Sequence, residues 1–235
     1  MNLLYPPACC ACGRTIPQPA FCPPCYLAIE IPRSPLCSIC GTPFATRGGA
    51  DHACGRCLQR PPSFHRARAC AIYDATEDVA HPLKSVLQRY KYGRDVTLVR
   101  PLAQLLRARS PMALTEYDLI VPVPLHLHRL RWRGFNQAQF LAHALARDVG
   151  VPVDALSLRR VRATHPQVQL NEGERRRNVR HAFRVTRPRR VRGQRVLLFD
   201  DVYTTGATVE ECSRALLQAG AAGVDVLVLA RAVLR

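Results

Sequence analysis

The chain of 235 residues is short of acid, shorter still of lysine, and poor in aromatics. Asp and Glu number 17 against 34 Lys and Arg, a formal net charge of +17. So little carboxylate makes polyanions the natural ligands, either a pyrophosphate ester or nucleic acid. Lysine occurs only as Lys84 and Lys91, so nearly all the positive charge is arginine. Guanidinium grips phosphate with two parallel donors, where ammonium acts as a point charge. Aromatic residues make up 6% of the chain, which leaves few stacking platforms for bases. No apolar run approaches membrane-spanning length, so no membrane insertion is expected. The opening Met-Asn-Leu-Leu-Tyr-Pro-Pro lacks the charged and apolar regions of a secretory signal, and the cytoplasm is the expected compartment.

Cysteine, by contrast, is plentiful, with 11 residues. In a reducing compartment this argues for metal and against disulfides. Eight of them form four C-x-x-C pairs: Cys9 and Cys12, Cys22 and Cys25, Cys37 and Cys40, Cys54 and Cys57. Each pair sets two thiolates on one side of a tight turn, and two such knuckles complete a tetrahedral Zn²⁺ site. Pairing successive knuckles makes two ribbons, while a crossed pairing uses the same residues. Four thiolates leave no open coordination position, so the zinc is read as structural. Cys10 is read as a bystander or a register alternative, Cys70 and Cys212 as core residues, and His52 as a loop residue or a substitute ligand. The cysteine pattern defines a zinc module over residues 1–60, with 61–235 left for a second domain and 61–67 as the linker.

From Arg68 onward the apolar pattern alternates between strand and helix. Arg68–Asp74, Asp118–Pro124, Val196–Phe199 and Val224–Ala230 read as strands. Val79–Tyr90, Val96–Leu106 and a helix opened by Gly134–Gln137 have apolar residues at helical spacing. This order predicts an α/β fold with a parallel sheet flanked by helices, and a site at the carboxyl ends of its strands. Between residues 156 and 195, thirteen arginines face only Glu172 and Glu174. Within that span Ser157–Val161 reads as a strand, Arg162–Gln167 as a mobile loop, and Asn171–Arg180 as a short helix displaying Arg175, Arg176 and Arg177.

The most specific stretch is Val196-Leu-Leu-Phe-Asp-Asp-Val-Tyr-Thr-Thr-Gly-Ala-Thr208. An apolar strand ends at two carboxylates, Asp200 and Asp201. A turn of Thr204, Thr205, Gly206, Ala207 and Thr208 follows, then a helix with Val209, Cys212 and Leu216 on one face. A helix N-terminus offers free N–H donors and a positive dipole end to an anion. Paired acids beside an anion site suit a ligand with hydroxyls as well as phosphate, which is a ribose phosphate. Over roughly 13 residues this stretch resembles the phosphoribosyl-pyrophosphate (PRPP) motif of type I phosphoribosyltransferases.

The whole chain resembles the ComF family, phosphoribosyltransferase-like proteins with an N-terminal double zinc ribbon, some with a gluconate-utilisation (GntX-like) label. The residues carrying the resemblance are the four cysteine pairs, Val121-Pro-Val-Pro124, Arg133-Gly-Phe-Asn-Gln137, Glu174-Arg-Arg-Arg-Asn-Val179 and the PRPP motif. The resemblance implies a type I phosphoribosyltransferase-like domain that binds PRPP with Mg²⁺. It implies that Asp200 and Asp201 hold the ribose hydroxyls and serve as catalytic candidates, and that Thr204–Thr208 hold the 5′-phosphate. Val121, Pro122, Val123, Pro124 and Arg133 would face pyrophosphate. It further implies a role in competence, with single-stranded DNA and the DNA-uptake machinery as partners. Two readings follow: a phosphoribosyltransferase with an unassigned acceptor, or a single-strand-binding protein that uses the pocket as a sensor or strand-end seat.

Overall fold

In a computed structural model of the chain, residues 6–46, 48–74, 81–147, 149–163 and 171–233 are described. Most of the expected 162–167 loop, His165 included, and the first residues of the expected 79–90 helix lie outside them.

Four strands form one all-parallel sheet: β1 (Ala67–Asp74), β2 (Leu119–Pro122), β5 (Arg195–Tyr203) and β6 (Gly223–Val233), in the order β1-β6-β5-β2. Along β5 the side chains alternate between faces. Leu197 and Phe199 join one core cluster and Val196 and Leu198 the other, all fully buried. The first cluster takes Leu83, Val86, Leu87 and Tyr90 of α3 (Pro82–Tyr92), together with apolar residues of α4 (Val99–Arg109) and α6 (Gln137–Ala146). The second takes Val209, Cys212 and Leu216 of α8 (Ala207–Gln218). Each such buried aliphatic contributes roughly 1.5–3 kcal/mol, which is why the strands read as continuous apolar runs.

Several sequence expectations are adjusted by this packing. β5 does not stop at Phe199 but carries both carboxylates within it, its pairing with β6 continuing to Tyr203. Gly134 does not open α6. It closes α5 (Leu127–Arg133) in the left-handed conformation at φ 85°, and α6 starts at Gln137 with the Asn136 side chain accepting from the Ala138 N–H. Pro101 sits in the first turn of α4, where a missing N–H is tolerated. The arginine-rich span holds a separate antiparallel pair, β3 (Leu158–Arg160) with β4 (Phe183–Val185), packed beside α8. It also holds α7 (Glu172–Val179), whose start is fixed by a reciprocal Asn171–Glu174 capping box. The expected linker is packed rather than extended: Ser63 donates twice to Glu210 at 2.8 Å and Phe64 is buried.

The cysteine module carries only two short helices, α1 (Pro23–Leu27) and α2 (Gly55–Gln59). Its two halves meet opposite faces of the sheet. In the first half, Arg89 of α3 donates to the Cys10 carbonyl at 2.7 Å, and Arg109 of α4 donates to the carbonyls of Ile29 and Tyr26. In the second half, Arg231 of β6 donates to the Cys40 carbonyl and to Thr42 Oγ1. Cys10 is thus an anchor to the core. Burial pushes its thiol up to about 12, and it lies outside both four-cysteine sets.

Candidate functional site

The cysteines gather into two sets of four, Cys9, Cys12, Cys22, Cys25 and Cys37, Cys40, Cys54, Cys57. The knuckles therefore pair successively and are not crossed. Within each set the sulfurs lie within 4.8 Å of one another. Backbone N–H groups of Cys40 and Cys54 both point at Cys37 Sγ, at 3.3 Å, and the Cys22 N–H points at Cys9 Sγ at the same distance. Donors aimed at sulfur stabilise thiolate, and four thiolates in this spacing fit tetrahedral Zn²⁺. His52 stands outside the set, stacked on Phe44 at 4.2 Å.

The second constellation lies at the carboxyl ends of β5 and β2, around a cavity of about 580 Å³. Open parallel sheets place their ligands there. Asp200, Asp201 and Thr204 to Thr208 all line it. Gly206, at φ 81°, turns the chain from β5 into α8, so the helix N-terminus faces the cavity. Across from it, the Val123 N–H bonds the Phe199 carbonyl at 2.8 Å, and the Val123 carbonyl accepts from Asn136 at 3.1 Å. This holds Val123 and Pro124 at the cavity wall. Val121 and Pro122 are buried strand residues below it and are not part of the lining. Of the three arginines in the basic stretch after the loop, Arg129 and Arg133 line the cavity and Arg131 does not.

Two cations complete the site that sequence reasoning did not single out. Lys91, at the end of α3, places Nζ 2.9 Å from Asp201 Oδ1. Burial works against its charge, but Asp201 and then Asp200 outweigh this and its pKa is raised. Arg160 of β3 enters from the opposite core face, and burial with the nearby Arg129 brings it down to about 10. Asp200 is raised to about 7, first by burial and then by the adjacent Asp201 charge, with Lys91 opposing. The signal for Lys91 was its identity, one of two lysines in an arginine-rich chain. Nothing in sequence spacing places Arg160 here.

Two buried donors on the wall, Arg133 Nε and Gln137 Nε2, have no hydrogen-bond partner among the described residues. Each such group costs about 1–3 kcal/mol, a cost that ligand oxygens would relieve. The cavity thus unites paired carboxylates, unsatisfied cationic and amide donors, and a helix N-terminus, the complement of a ligand carrying hydroxyls and phosphates.

Both parts of the chain have counterparts among known proteins. Residues 1–58 match the double zinc ribbon domain and residues 134–233 the phosphoribosyl transferase domain. The DNA utilization protein YhgH of Salmonella typhi is 36% identical over 95% of this chain and 89% of its own length. Competence protein F of Haemophilus influenzae is 34% identical over 86% of this chain and 87% of its own. Among solved structures, a glutamine PRPP amidotransferase from B. subtilis aligns at 24% identity and a TM-score of 0.37, over 54% of this chain and 25% of that one. With its two four-cysteine zinc sites joined to a phosphoribosyltransferase-type domain, the chain belongs to the ComF/YhgH family of proteins linked to DNA utilization and competence.

Proposed function

We propose that the cavity binds PRPP or a related ribose phosphate with Mg²⁺, and that the protein serves the handling of DNA, as the names of its relatives indicate. The observation that supports this best is the convergence of Asp200, Asp201 and the Thr204–Thr208 turn on one cavity. In this reading the two carboxylates accept from the ribose 2′- and 3′-hydroxyls. The turn and the N-terminus of α8 donate to the 5′-phosphate. Val123, Pro124, Arg129 and Arg133 face the pyrophosphate, whose charge Mg²⁺ would share.

Transfer would proceed by attack of an acceptor on the anomeric carbon while the bond to pyrophosphate breaks and pyrophosphate leaves with the electron pair. The carboxylates are placed to support the positive charge that develops on the sugar, an electrostatic contribution set before reaction. Lys91 holds Asp201 in place, and Asp200 is the acid poised near neutrality. Residues 1–60 form the zinc module in this scheme and 61–235 the ribose-phosphate domain, within the cytoplasm.

Calorimetric titration of PRPP with Mg²⁺ tests the binding claim, and absence of a binding heat across several temperatures would refute it. Pyrophosphate release on addition of nucleobases or oligonucleotides separates a transferase from a PRPP-responsive binding protein.

A further inference from the structure

One helix of the sheet domain has no fully buried residue. No residue of α5 reaches the core, and Leu127 and Trp132 are 57% and 53% exposed. Its conformation is held at its ends. His126 Nδ1 accepts from the His128 N–H, and Gly134 closes the last turn. Arg94 ties the last turn by donating to the Trp132 carbonyl. Beside it, Tyr92 at the end of α3 is also 53% exposed. Each ring has a guanidinium over it: Arg94 lies 5.8 Å from the Trp132 ring centre and Arg133 5.3 Å from that of Tyr92.

The charge of this patch is uncompensated. Among the described residues, no carboxylate pairs with Arg94, Arg129, Arg131 or Arg133. Burial first, and the neighbouring Arg133 second, push Arg129 below its usual range. Tyr92, Arg129 and Arg133 also line the ribose-phosphate cavity, so the patch and the cavity share a rim. Exposed rings flanked by arginines call for a partner with flat faces and repeated negative charge. A duplex conceals its base faces and an acidic peptide carries no ring on its charged residues, but an unpaired nucleotide strand offers a flat face and a charge at every unit.

We propose that α5, Tyr92 and Arg94 form a docking platform for single-stranded nucleic acid at the rim of the cavity. Unpaired bases stack on Trp132 and Tyr92, and the arginines contact the phosphates without reading sequence. The proximity to a ribose-phosphate site rests on the proposed function; the platform itself does not.

Trp132 is the only tryptophan of the chain, so its fluorescence reports directly on stacking. A short oligothymidylate should quench it, and a duplex of equal length should compete weakly. In fluorescence anisotropy with a labelled strand, Trp132→Ala and Tyr92→Ala should each weaken binding about tenfold. Arg131→Ala should lower the salt-dependence slope by about 0.7, the value for one single-strand phosphate contact, whereas Arg14→Ala in the first zinc ribbon should not. The proposal is overturned if the strand binds without quenching, if the aromatic variants bind like the wild type, or if duplex competes equally. Ribose 5-phosphate titrated into Trp132→Ala should bind as to the wild type. If no form binds ribose 5-phosphate while the strand behaves as described, the ribose-phosphate reading fails and the platform stands.

Discussion

Gly206→Ala is the most informative single change in the phosphate turn. Gly206 holds φ 81° and ψ 0°, and a Cβ added there would lie 2.2 Å from Tyr203 Oη and 2.6 Å from its Cζ. The Tyr203 ring cannot readily retreat. The Arg231 guanidinium lies 3.9 Å from its centre, and Arg231 is itself fixed to Thr42 and to the Cys40 carbonyl of the second zinc ribbon. A left-handed alanine costs about 1–2 kcal/mol and overpacking about 1–3 kcal/mol, together about 2–5 kcal/mol. Urea unfolding should show that loss unless the turn shifts to escape it. A shifted turn withdraws donors from the phosphate, so ribose 5-phosphate affinity should fall by about tenfold or more. Tyr203→Phe removes the atom at the shortest distance, so alanine should cost about 1 kcal/mol less in that background. A cost below about 0.5 kcal/mol with unchanged affinity, or strictly additive effects in the cycle, would refute this account of the turn.

Lys91→Met leaves Asp201 without its cation in a largely buried setting and should cost about 3 kcal/mol in urea unfolding; Lys91→Arg should recover part of it. Asp200, raised to about 7 by burial, holds its proton in the folded chain after the unfolded chain has lost it. Its contribution to stability is therefore complete below about pH 4, the unfolded value, and fades as pH rises toward 7. Wild-type stability should decline across that window, and Asp200→Asn should flatten the decline. Metal analysis should find about two zinc per chain, and Cys54→Ser should lower the zinc content by about one. Because Arg231 is bound to the second ribbon, that loss should also weaken ribose 5-phosphate binding.

What was legible in the sequence was whatever depends on local order. The Val196–Thr208 stretch announces strand, acids, turn and helix through residues that are neighbours in the chain. The cysteine pairs announce their metal through a spacing of three. The parallel sheet followed from alternating apolar runs, since strands buried on both faces must be continuously apolar. Features that arise from distant approach were not legible. Lys91 reaches Asp201 only because α3 docks on the face toward which Asp201 projects. Arg160 reaches the site through β3, a three-residue strand paired antiparallel with β4 and too short to show a period. The choice between successive and crossed knuckles is likewise three-dimensional. The end of β5 was misplaced because carboxylates are poor strand residues, and the ladder with β6 overrides that preference.

The central claim is that Asp200 and Asp201 hold a ribose phosphate. Calorimetric titration of PRPP with Mg²⁺ into the wild type and into Asp200→Asn/Asp201→Asn tests it most directly. Hydrogen bonds to charged groups are worth about 1.5–3 kcal/mol each, so the paired change should weaken binding by about a hundredfold or more, with zinc content unchanged. Equal affinity in the two proteins would contradict it.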